Sequence, residues 1–520
     1  MSAGARSGAG PDARAEPGAP VADIGLLLEG TYPYVAGGVS SWMHQIIRAF
    51  PEYRFALCFI GSRPSDYGGP KYELPPNVTH LESHYIHDPG SKPPPRAIEG
   101  DAQMYRAVGT LHESFREGRR GDAFAQLEAA AGEMLPGGKL DRASFLYSRQ
   151  AWDYLTGEYR RRSSEPSFVD YFWTVRIMHE PIWRLAEIAR QLPRVRLLHT
   201  ISTGYAGYLG ALVKRERGCP LLLSEHGIYT KERRIDLFQS QWIRDTRNAF
   251  LRDPTQIAYL REMWIRFFEA LGRVCYDASD RITALYEENR QRQVADGADP
   301  SRTECIPNGI DIAKLAPLRA LRPPEPPPVI ALIGRVVPIK DVKTFIRAMR
   351  VVVQRLPQAE GWIAGPEDED PEYARECRNL IEGLGLEKNV KLLGFQRVPE
   401  LLPRVGLVAL SSISEALPLV VLEAWAAGVP VVCTEVGACR ELVLGSGAED
   451  EAFGAAGELV GIADPDAFAA ACLRLLCDPA AWRAAQAAGI RRVERAYGVE
   501  RMVGRFGELY GTLLSVKGAA

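Results

Sequence analysis

No C-x2-C pair occurs anywhere in the 520 residues, and the nine cysteines are odd in number and scattered. That argues against a disulfide framework or a structural zinc site and fits a reducing, cytoplasmic setting. No apolar run reaches the 18 or more residues of a membrane span: the longest stretch of that character, 407–436, is broken by Glu415, Glu423 and two prolines. Charge of either sign is not in excess, with 63 Lys+Arg against 65 Asp+Glu for a net −2. This leaves no electrostatic case for nucleic-acid binding. Residues 1–20, rich in Gly, Pro and Ala, lack the apolar core of a signal peptide and read as a disordered tail. What the chain has is 46% apolar content and more length than one ordinary core uses. Two domains, or one with large insertions, are expected.

Strands alternating with helices predict a parallel, doubly wound α/β architecture. Ala22–Glu29 reads as a first strand running into Gly37-Gly38 and a helix from about Val39. A glycine loop at a helix N-terminus can cradle phosphate, although this one is not G-x-G-x-x-G. A second strand is expected over 53–61, then an insertion over about 62–170 that includes SKPPPR (91–96) and a charged helical run from Asp101. HLESHYIH carries His80, His84 and His87, which read as a loop rather than as zinc ligands. His199 and His226 fall at the ends of adjacent strands, where they are either cleft residues or ordinary strand-end histidines bonded to backbone. The boundaries expected are 21–315 for the first domain, 316–328 for a Pro-rich linker, 329–490 for the second domain and 491–520 for a last helix crossing back.

The densest signal is Leu407–Thr434, read as strand, loop, helix, strand, with Glu415 in the loop, Pro418 at the first helical position, Leu419 after it and Glu423 eight residues beyond Glu415. Such a βαβ unit binds ligands beyond the strand C-termini. Two glutamates at this spacing also occur by chance, one as a loop charge and one as a solvated helix residue. About 80 residues upstream, GRVVPIKD places Arg335 and Lys340 on another strand-end loop, the donors a leaving diphosphate needs. With no D-x-D element in a cleft position, protein cations take the place of a metal, and no metal ligands are assigned.

Glu415-x7-Glu423 with the G-R-x4-K pattern and Pro307-Asn-Gly-Ile-Asp311 resembles the retaining, nucleotide-sugar-dependent glycosyltransferases of family four. The resemblance implies a GT-B fold, two Rossmann-like domains facing a cleft. It implies that Arg335 and Lys340 bind the diphosphate, Glu415 the donor sugar and Glu423 the ribose hydroxyls, and that the Gly37-Gly38 loop faces the donor. Three further blocks, Glu29–Gln45, His199–Gly207 and Glu225–Arg233, are similar to the PelF-type glycosyltransferases, which polymerise the Pel exopolysaccharide of bacterial biofilms. That implies a UDP-sugar donor without a further cofactor, a polysaccharide acceptor, and a cytoplasmic enzyme peripheral to the inner membrane through Pel assembly proteins. Many relatives have H-x-H where this chain has His199-Thr-Ile201, so the role of the second histidine is not carried over. A sucrose- or trehalose-type synthase, a nucleotide-sugar epimerase, and a silent UDP-sugar-binding scaffold are the competing readings.

Overall fold

The computed structural model describes residues 20–87, 97–117, 125, 141–163, 167–240, 242–243 and 257–515. The expected tail before residue 20, the SKPPPR segment and most of the charged run beyond residue 117 lie outside the described residues. By their contacts the residues group into two compact units. One runs to Ser224 and takes in Tyr229–Arg281 and the chain from Tyr510, and the other comprises Glu225–Ile228 and Ile282–Leu509.

Among the described residues, thirteen strands make two sheets. They are β1 (Ala22–Glu29), β2 (Phe55–Gly61), β3 (Val78–Tyr85), β4 (Val195–Thr200), β5 (Leu221–Glu225), β6 (Arg281–Ala284), β7 (Thr303–Cys305), β8 (Val329–Ile333), β9 (Glu360–Ala364), β10 (Val390–Gly394), β11 (Leu407–Leu410), β12 (Val431–Thr434) and β13 (Gly457–Val460). The first sheet runs β3-β2-β1-β4-β5-β6-β7 and the second β10-β9-β8-β11-β12-β13. Both orders reverse direction beside their first strand, the doubly wound pattern in which ligands bind where the order switches. In the second sheet that point lies between β8 and β11, which pair in parallel from Leu407↔Ile330 to Ala409↔Leu332.

Both faces of the second sheet are covered, and its central strands β8 and β11 are wholly apolar, as parallel strands buried on two sides are, while Lys391 and Glu458 lie on the outer strands β10 and β13. Ala331, Val408 and Val431 join one core cluster while Ile330, Leu332, Ala409 and Val432 join the other, the period-two alternation of a strand. The helices between the strands start on matched caps. Asp341 accepts from Thr344 N at the start of Val342–Arg355, and Asp370 from Tyr373 N at the start of Pro371–Gly383.

The segment HLESHYIH is not a loop: most of it is β3, the edge strand of the first sheet, paired with β2 from Phe55↔Val78 to Gly61↔Tyr85. An edge strand need not be apolar on both faces, and here one face is His80, Glu82 and His84, so the hydrophobic alternation that announces a strand is missing. Beyond it, helices Ala102–Glu117, Arg149–Arg162 and Phe168–Gln191 surround a cavity of about 470 Å³ lined by Tyr105, Phe145, Met178 and Trp183. Pro418 sits one residue earlier than expected, as the N-cap of Leu419–Ala426 rather than inside it.

Candidate functional site

At the switch point of the second sheet, β8 ends at Ile333 and leads through Gly334-Arg335 to a single 3-10 turn, Pro338–Lys340. The loop after β11 is tied to that turn, since Ser411 Oγ donates to the carbonyls of Lys340 (2.9 Å) and Asp341 (3.0 Å), and Ile413 N donates to Ile339 O (2.8 Å). These bonds carry Lys340 to Glu415: Nζ lies 2.5 Å from Oε1, and Ser412 Oγ donates to the same oxygen at 2.6 Å. The two side chains are 20% and 14% exposed, so the pair is shielded yet reachable from solvent.

Two glycines make the arrangement fit. A Cβ at Gly437, whose φ is +53°, would stand 2.1 Å from the carbonyl oxygen of Glu415, and one at Gly365 would stand 1.9 Å from that of Gly334. The loops after β12 and β9 can therefore press against the loops that carry Glu415 and Arg335 only without side chains.

Arg335 is 53% exposed and pairs with Glu369, on the acidic loop 367–370 after β9. That loop, which carries the D-x-D spacing Asp368-Glu369-Asp370, was not anticipated as part of this edge, so the expectation of no such element here is corrected. Asp370 serves as a helix cap and Glu367 pairs with Arg378, which leaves Glu369 as the acid beside the arginine. Glu423 lies one turn into Leu419–Ala426, with no side-chain hydrogen bond or ion pair to the described residues. Burial pushes its carboxyl up to about 7, so it is poised between charged and neutral at physiological pH. Leu419 packs at the rim of the core below. Arg335, Lys340, Glu415, Leu419 and Glu423 thus belong to one end of one sheet.

In the first unit, Gly37 and Gly38 are exposed at the N-terminus of the helix Gly38–Ala49. A Cβ on either meets nothing within 4 Å, so the protein's own packing does not require glycine there. His199 is fully buried in β4. Its Nδ1 is bonded to Tyr510 Oη and its Nε2 to Ser224 Oγ, each at 2.8 Å, so both ring nitrogens are engaged inside the unit. The stronger polar cluster of this edge is centred on Glu29, at the end of β1. Its carboxylate accepts from Tyr229 Oη (2.9 Å), Ser202 Oγ (3.1 Å) and Ala206 N (3.1 Å), with Arg233 within 4.0 Å. Burial, then the charge of Glu29, push the Tyr229 hydroxyl well above its ordinary range, so it stays a proton donor. The only sequence sign of this cluster is that Glu29, Tyr229 and Arg233 sit in the PelF-like blocks.

His226 follows β5 and belongs to the second unit. Burial lowers its ring to about 4, opposed by a hydrogen bond with Asn308, so it is neutral near pH 7. Of the three histidines near β3, His80 and His84 share a face of the strand, while His87 follows it and its amide bonds Ser62 O.

Comparison with known proteins places both halves. Residues 22–301 match the family model described as Domain of unknown function (DUF3492), and residues 327–478 match Glycosyl transferases group 1. A D-inositol 3-phosphate glycosyltransferase of Kineococcus radiotolerans is 32% identical over 248 residues, covering 44% of this chain and 57% of its own length. An exopolysaccharide phosphotransferase of Streptomyces coelicolor is 36% identical over 209 residues, 40% of this chain and 20% of its own. The matches span 57%, 47% and 52% of three inositol-phosphate glycosyltransferases, so the chain covers about half the length of such relatives. Among solved structures, a sucrose-phosphate synthase from Thermosynechococcus elongatus has a TM-score of 0.55 at 18% identity, covering 95% of this chain and all of that one. Anabaena HepE, solved in complex with UDP, has a TM-score of 0.54 at 14% identity, covering 94% of this chain and all of that one. At these identities the likeness is one of fold, and it is the GT-B fold. Residues 327–478 are thus similar to the glycosyl transferases group 1, and with more than half of its 520 residues under the first model, the chain belongs to the DUF3492 family.

Proposed function

We propose that this chain is a retaining glycosyltransferase that moves a hexosyl unit from a UDP-sugar, of the UDP-glucose or UDP-N-acetylgalactosamine type, to a growing exopolysaccharide. The observation that carries the reading is the Lys340–Glu415 pair at the switch point of the second sheet, with Arg335 on the same strand-end loop. A cation bonded to a carboxylate there lets one group face a diphosphate and the other a sugar. The HepE complexes with UDP and with UDP-glucose, on the same fold, support a uridine donor. The exopolysaccharide relative and the PelF-like blocks support a polymer acceptor and partners of the Pel type.

The chemistry follows from placement. As the sugar–phosphate bond lengthens, negative charge grows on the departing oxygen, and Lys340 and Arg335 supply charge-assisted bonds to it. Glu415 holds sugar hydroxyls from the side on which the diphosphate lies, a poor position for attack from the opposite face. Retention then arises by entry of the acceptor on the face the diphosphate leaves, with the departing phosphate oxygen taking the acceptor proton and no covalent glycosyl-enzyme. Glu423 accepts from the ribose hydroxyls. The Glu29 cluster, with its bound Tyr229, shapes the edge of the first sheet. Incubation of the purified chain with a panel of UDP-sugars and oligosaccharide acceptors, read by UDP release and by the anomeric configuration of the product, tests the proposal. Transfer with retention supports it. An inverted product, or a glycosylated Glu415 trapped by mass spectrometry, overturns it.

A further inference from the structure

Far from these residues in sequence, β2 and β3 bring together three donor atoms of different kinds. Their register sets Cys58 opposite Glu82 and Ile60 opposite His84, so Cys58, Glu82 and His84 share one face of the sheet edge. The thiol sulfur, a carboxylate oxygen and a ring nitrogen all lie within 4.8 Å of one another. Cys58 is buried at 3% exposure. Glu82 Oε1 and His84 Nε2 are both buried and face each other at 3.4 Å, an ion-pair distance, but neither makes a hydrogen bond of good geometry among the described residues. A buried carboxylate oxygen and a buried imidazole nitrogen joined only by one long, poorly aligned contact are incompletely satisfied. The arrangement asks for something between them.

We propose that Cys58, Glu82 and His84 bind a zinc-like divalent cation at the outer edge of the first sheet, with water in the fourth position. The donor set selects the ion, because sulfur and imidazole nitrogen suit zinc whereas Mg²⁺ and Ca²⁺ take oxygen. Bonds of about 2.0–2.3 Å in a tetrahedron set donors roughly 3.5 Å apart. Side-chain rotation closes the remaining ångström or so. Charge also balances: on binding, the Cys58 S–H bond breaks, its proton goes to solvent and the sulfur pair bonds the metal. Thiolate and carboxylate together then cancel the dication, and His84 binds neutral, so the complex carries no net charge into its half-buried setting. Both Cys58 and Glu82 were overlooked when the three histidines were read as a loop, because they become partners only once β3 is paired. The ion would pin edge strand β3 to β2. Its three residues belong to the first unit, whereas Arg335 and Lys340 belong to the second.

The experiment uses the full chain, stripped with chelator and dialysed, then titrated with Zn²⁺ and with Co²⁺ as a spectroscopic probe. The expected result is one equivalent of metal by mass spectrometry of the eluted ion, and a sulfur-to-cobalt charge-transfer band in the near ultraviolet. Cys58→Ser should abolish the band, and Glu82→Gln and His84→Ala should each weaken binding at least roughly tenfold. His87→Ala should change nothing. Cys58→Ser is nearly isosteric, and circular dichroism checks that each variant is folded. Failure of the folded wild-type chain to retain zinc or to give the cobalt band would mean an ion-pair triad of His80, Glu82 and His84, and would overturn the proposal. So would a band that survives Cys58→Ser.

Discussion

The shared oxygen of Glu415 is where single side chains decide the outcome. Lys340 and Ser412 both bind it, so Lys340 is already oriented before any ligand arrives. Arg335→Ala and Lys340→Ala should each weaken UDP binding by about 1.5–3 kcal/mol, the loss of one charge-assisted bond, as measured by calorimetry. Unchanged affinity in either would remove that residue from the site. Glu369→Gln releases Arg335 from an exposed pair, and because such pairs are worth about 0–1 kcal/mol it should tighten UDP by no more than about fivefold. Glu415→Gln should retain UDP affinity and lose most turnover. Glu423 gives a pH test. Its folded-state pKa of about 7 stands above the ordinary value of 4.5, so its stabilising effect is complete below pH 4.5 and is lost as pH rises through 7. Glu423→Gln should therefore be more stable than wild type at pH 8, by up to about 3 kcal/mol, and equal to it near pH 4. Denaturant melts at the two pH values check this, and a gap that does not widen with pH refutes it. The paired glutamates and the Arg–Lys spacing were legible in the sequence because each is fixed by its own loop. Ser412, Glu369, Gly365 and Gly437 were not, because each matters only through a neighbour that another strand delivers.

Among the elements, those of the second sheet were the most readable. The two strands expected within Leu407–Thr434 appear there as β11 and β12, because parallel strands buried on both faces appear as unbroken apolar runs. β3 escaped because opposite its face of His80, Glu82 and His84 the other face, Thr79, Leu81, Ser83 and Tyr85, is only half apolar, so no period two stands out. The N-terminus of the helix Phe168–Gln191 is marked only by Ser167 accepting from Asp170 N. How loops pack on one another was beyond any periodicity, and Gly437 is the sharpest case. Gly437→Ala forces a left-handed alanine, costing roughly 1–2 kcal/mol, and drives its Cβ against the carbonyl of Glu415. Turnover should fall at least roughly tenfold while the melting temperature falls by only a few degrees. A fully active variant would show that the Glu415 loop tolerates displacement.

For the molecule as a whole, ligand and chelator give opposite expectations at different places. UDP at about 100 times its Kd should stabilise the folded state by about 2.7 kcal/mol, and chelator should leave that increment unchanged, since protein cations meet the diphosphate. Loss of the increment in EDTA, with recovery on adding Mg²⁺, would show a metal in the nucleotide site. The two sheets do not mature on the same schedule. His199 depends on Tyr510, 311 residues later in the chain, for the bond at its Nδ1. At a synthesis rate of about 5–20 residues per second, that partner leaves the ribosome roughly 15–60 s after the histidine does. Over that interval a nascent chain can build β4 while its His199 Nδ1 lacks the Tyr510 hydroxyl. Messages that stall or end before the codon for Tyr510 would therefore yield a protein whose first sheet is assembled but unsealed, a natural target for quality-control proteases.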